Sequence, residues 1–95
     1  MKEFMIVHVG FKMPTEEQMG LWNTWFAVVA EHKVDGAGMR GGSGFDGNKV
    51  TDLAFDETAM TGYTIIKAED MEAAMAIAKQ CPVVTATQVH ELMRF

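Results

Sequence analysis

The segment Phe4-Met5-Ile6-Val7-His8-Val9 is built of β-forming side chains and ends at Gly10. Successive side chains of a strand point to opposite faces, so one face presents Phe4, Ile6 and His8 and the other Met5, Val7 and Val9. A strand with one wet face alternates apolar with polar residues. This one does not, and so demands cover on both sides. With 95 residues the chain reads as one domain, 1–95. A folded surface of roughly 5,400 Å² follows from its mass, which leaves a thin core and makes self-association favourable.

The rest of the pattern supplies helices for only one of those sides. Pro14-Thr15-Glu16-Glu17-Gln18 is a helix start, with Thr15 and Gln18 spaced as a capping box and two acids at the positive end of the dipole. Met19, Trp22, Phe26 and Val29 recur at helical spacing, which predicts a helix from Thr15 to Lys33, with His32 and Lys33 as cations near its end. Six of the nine glycines fall between Gly36 and Gly47. That stretch reads as an irregular strand and hairpin, turning at Asp46-Gly47-Asn48. Gly62 to Ala68 is a strand, Asp70 caps a second helix over Met71 to Gln80, Pro82 stops it, and Thr87 to Phe95 is a mostly extended segment interrupted by His90-Glu91. The order predicts an α+β, ferredoxin-like βαββαβ fold with a four-stranded antiparallel sheet. Its helices cover one sheet face, so the second apolar face predicts a homodimer packed sheet to sheet.

Thirteen acids against eight bases give a net charge of −5, which speaks against nucleic acid and anionic membrane surfaces as partners. The run Phe4 to Val9 is too short for a signal core or a membrane span. With the single Cys81, these features predict a cytoplasmic protein. Gly36-Ala37-Gly38-Met39-Arg40-Gly41 matches a dinucleotide-binding spacing, but no helix follows it, so it reads as a glycine-rich connection. His8, His32 and His90 lack metal-ligand spacing, although adjacent first and last strands would let His8 and His90 meet. No metal or cofactor is expected.

Four residues are candidates for a site. His8 is a titratable imidazole on an apolar strand, read either as a hydrogen-bonded core residue or as an acid or base in a cleft. Asp52 is either a turn carboxylate or a base and histidine orienter. Arg40 and Tyr63 are candidate substrate contacts, each able to polarise a substrate oxygen by donating a hydrogen bond.

Several segments in order resemble the YCII-related family, in the branch named for a D-G-P-F signature. They are Met1 to Met5, Pro14 to Met19, Lys33-Val34-Asp35-Gly36, Val50 to Glu57, Gly62 to Ala68, and Ala76 to Pro82. The resemblance implies a ferredoxin-like fold and a dimeric α/β barrel. It also implies lyase-type chemistry on small ring compounds for one branch, and a His/Asp-centred site for some members. Here the signature is degenerate: Asp52 and Phe55 keep its ends, while Leu53-Ala54 replaces Gly-Pro. The first-helix histidine of the His/Asp branch has no counterpart, since Leu21, Trp22 and Asn23 stand there. Only Asp52 carries over.

Two functions follow as expectations. One is a small-molecule lyase or isomerase with an acid/base cleft at the dimer interface, using His8 and Asp52, with Arg40 and Tyr63 on substrate. The other is a non-catalytic dimeric module that binds a small ligand or serves as an accessory.

Overall fold

The computed structural model describes residues 1–94, so Phe95, the end of the expected last strand, lies outside the described residues. The elements are β1 (Lys2–Val9), α1 (Glu16–Val29), β2 (Lys33–Gly38), β3 (Gly42–Asp46), β4 (Lys49–Leu53), β5 (Met60–Ala68), α2 (Met71–Ala78) and β6 (Ala86–Glu91). Four strands form one antiparallel sheet in the order β2-β5-β1-β6, and β3 and β4 pair separately as a hairpin. The expected interruption at His90-Glu91 is absent: β6 runs through both residues because they pair with Met5 and Phe4 of β1. This α+β arrangement, with two helices and a four-stranded antiparallel sheet, is compatible with a ferredoxin-like fold.

Local signals in the sequence account for the helix starts. Thr15 caps α1 by accepting from the Gln18 amide at 3.2 Å, and the Gln18 side chain accepts from the Thr15 amide at 3.1 Å. Asp70 caps α2 by accepting from the Ala73 amide at 2.9 Å. α1 ends at Val29, four residues short of the expected end. Sheet pairing takes over the backbone there: the Lys67 amide donates to the His32 carbonyl at 2.9 Å, and Lys33 opens β2. His32 is therefore no helix-terminal cation but a turn residue beside Glu31.

The core lies between the sheet and the helices. Phe4 and Ile6 of β1, Ile66 and Ala68 of β5, Trp25 and Val29 of α1, and Ala74 and Ala78 of α2 form one buried cluster, joined by Cys81. The Trp25 indole N–H donates to the Ile77 carbonyl at 3.2 Å and so ties α1 to α2. At the end of β1, Gly10 adopts φ +113°, and a Cβ there would lie 2.5 Å from the Thr85 hydroxyl. Only glycine fits that corner.

The opposite sheet face carries no helix. Its centre holds Met5, Val7 and Ile65, flanked toward β6 by Gln88 and His90, with Lys67 at the end of β5. The accessible surface is 6845 Å², about 1,400 Å² more than a compact monomer of this mass shows. The radius of gyration, 14.4 Å, likewise exceeds the roughly 12 Å of a compact 95-residue domain.

Candidate functional site

A cleft of about 590 Å³ opens between α1 and the β2–β5 side of the sheet. It lies on the helix-covered face, the opposite side from the bare face of the sheet. Its construction follows from side-chain alternation. Cross-strand register pairs Gly36 with Thr64, Gly38 with Gly62, and His8 with Gly62, so all of these share the helix side. Three glycines in adjacent strands leave a floor of bare backbone. Glycine weakens a strand unless something must approach it closely. Across the gap, Trp22 and Phe26 of α1 form an aromatic roof, with their ring centroids 5.8 Å apart. Phe11 closes one end and stacks on Phe55 at 4.4 Å.

His8 stands at the inner wall and is 8% exposed. Its Nε2 lies 3.3 Å from the Thr64 hydroxyl, and its Nδ1 is buried without a hydrogen-bond partner. Trp22 and Trp25 meet the imidazole edge-on, with centroid distances of 5.2 and 5.3 Å. Burial holds the His8 pKa below its ordinary value, since removing the ring from water penalises the charged form. The imidazole is therefore neutral at neutral pH.

Among the described residues, the charged side chains along the cleft are Lys12 and Lys33, and no carboxylate residue lines it. In a chain of net charge −5, a cleft edged by two cations is a local reversal of sign. The Lys33 stem passes over Gly36, with its Cε 3.1 Å from where a Cβ would stand.

The four residues singled out in the sequence do not converge. His8 lines the cleft. Tyr63 borders it only with its backbone, because its neighbours Gly62 and Thr64 face the cleft and its side chain alternates to the bare side with Val7. Asp52 sits on β4 and accepts from the Ser43 hydroxyl at 2.9 Å, outside the cleft. Arg40 is an exposed residue between β2 and the hairpin, also outside it. His8 and His90 do not meet either. Their strands are neighbours, but His8 pairs with Thr87 while His90 pairs with Met5, which puts the two imidazoles on opposite faces.

The features that build the cleft had weaker signals. The sequence places Gly36 and Gly38 in an irregular strand and glycine-rich connection; both belong to β2 and face the roof. Their spacing of two was the available clue, since it puts both on one strand face. Thr64 and Lys12 carried no signal of their own, and Lys33, expected as a cation near the end of the first helix, opens β2 instead.

No protein-family model matches the chain, and no curated protein matches it at a significant level. Among the described residues, no helix is long and apolar enough to cross a membrane.

Proposed function

We propose that this chain is a YCII-like homodimeric module whose cleft under α1 binds a small, flat, ring-containing molecule bearing an acidic group. The observation that carries this reading is the slot itself: a glycine floor, an aromatic roof, and lysines as its charged edge. A bare backbone floor opposite Trp22 and Phe26 suits a planar ring, and Lys12 and Lys33 suit a carboxylate at its rim. The homodimer is supported by the apolar make-up of the helix-free sheet face, where half-buried Met5 lies beside buried Val7 and Ile65 within a polar rim, the usual anatomy of an interface. Sheet-to-sheet pairing of two copies would make the dimeric α/β barrel. The buried, free Cys81 supports a reducing, cytoplasmic setting.

A second reading, a lyase or isomerase, is favoured by one observation: a neutral imidazole, His8, stands in the wall of the cleft. His8 would then move the proton, without Asp52 of the same chain.

Thermal-shift measurements with 1-naphthoate, 1-naphthylamine and cyclohexanecarboxylate test the ligand class. Stabilisation by naphthoate above the other two supports the slot, and equal or absent shifts overturn it. His8→Ala separates the two readings: binding survives in both, and any turnover is lost only in the second.

A further inference from the structure

We infer that the β3–β4 hairpin is an arm that docks on a second copy of this chain through Phe45 and Val50. The inference rests on the dimeric reading above and adds a second contact to it. Among the described residues the hairpin pairs only with itself, and no other element packs closely against it. It leaves the end of the edge strand β2 through Gly41, whose φ of +69° turns the chain away from the sheet.

The two faces of the hairpin differ. On one, Leu53 folds over Gly42 and Gly44, with 3.7 Å to the Cβ position of each. On the other, Phe45 and Val50 are direct cross-strand partners with nothing over them, 81% and 71% exposed. A lone two-stranded hairpin is marginal in water, and a bare aromatic–aliphatic pair at its tip gains only if another body covers it.

Area and charge name that body. The surface excess of about 1,400 Å² per chain is more than the roughly 800 Å² that each partner contributes to a standard interface. It is enough for a sheet face plus an arm. Asp46 and Lys49 pair across the hairpin end, so the arm lacks the single-sign field that nucleic acid or an anionic membrane requires. A second copy has the same surplus surface and the same exposed Phe45 and Val50, and offers them with two-fold symmetry.

The test is sedimentation equilibrium on the full chain, on the double variant Phe45→Ser/Val50→Ser, and on Met5→Lys of the bare sheet face. The wild type is expected to be a dimer. The double variant should raise the dissociation constant by about 100-fold or more, with an unchanged far-ultraviolet circular dichroism spectrum. A double variant that dimerises like the wild type overturns the arm, and if Met5→Lys alone dissociates, the sheet-face dimer stands without it. If the double variant dissociates and Met5→Lys is silent, the arm stands and the sheet-face reading falls. A wild type that is monomeric at every concentration removes both. Hydrogen exchange of the wild type decides independently of variant folding: amides between Gly42 and Leu53 should gain protection as concentration rises, and constant exchange there contradicts the arm.

Discussion

His8 of β1 and Thr64 of β5 meet diagonally across the two strands, with imidazole Nε2 and hydroxyl 3.3 Å apart on the buried side of the sheet. This contact fixes the ring between two tryptophans and makes the protonation of His8 part of the folding equilibrium.

Burial lowers the folded-state pKa of His8. Near and below its unfolded value of about 6.5 the unfolded chain therefore binds more protons, so stability rises with pH through that region. The contribution of His8 is complete above about pH 7 and is lost as the pH falls from there toward the lowered folded value. Urea midpoints at about pH 7.5 and about pH 5.5 should show the wild type weakening at the lower pH, and His8→Gln weakening less. Parallel behaviour of the two proteins would show that His8 is not held neutral.

Thr64→Val keeps the shape of the side chain and removes the only hydrogen-bond partner that the imidazole has among the described residues. Both ring nitrogens would then be buried and unpartnered, at a cost of about 1–3 kcal/mol. For a domain of this size that lowers the melting temperature by roughly 4–8 °C per kcal/mol, which calorimetry measures directly. An unchanged melting temperature would mean that the contact contributes nothing.

Gly10→Ala places a Cβ 2.5 Å from the Thr85 hydroxyl and 2.8 Å from the Thr85 amide nitrogen, at a φ of +113°. The strain alone costs about 1–3 kcal/mol. The clash adds to it, because the Thr85 amide also donates to the Val9 carbonyl and cannot simply retreat. Gly20→Ala, where no atom lies within 4 Å of the new Cβ, is the control and should be neutral or slightly stabilising. Chemical denaturation of the two variants checks the contrast.

The core strands and both helix starts were legible because their signals are local: alternation in Phe4 to Val9, a capping box at Thr15 and Gln18, and an aspartate cap at Asp70. The end of α1 was not, because the sheet pairing that claims the His32 carbonyl lies more than thirty residues away, at Lys67. Candidate chemistry was legible as residue type and not as placement. Asp52 and Arg40 are suitable groups, yet one sits on a separate hairpin and the other just before it. A glycine acquires its meaning from register. Gly36, Gly38 and Gly62 become a floor only when β2 pairs with β5 in the observed alignment.

The slot between that floor and its roof is tested most directly by two-dimensional amide NMR during titration with 1-naphthoate, on the wild type and on Gly38→Val. No atom lies closer than 3.8 Å to the Cβ position at Gly38, so valine projects into the slot without displacing the backbone. The account predicts shifts concentrated at the amides of Gly36, Gly38 and Gly62 and at the Trp22 indole in the wild type, and their loss in Gly38→Val with the rest of the spectrum retained. Saturable shifts located elsewhere, or equal binding by Gly38→Val, would contradict it.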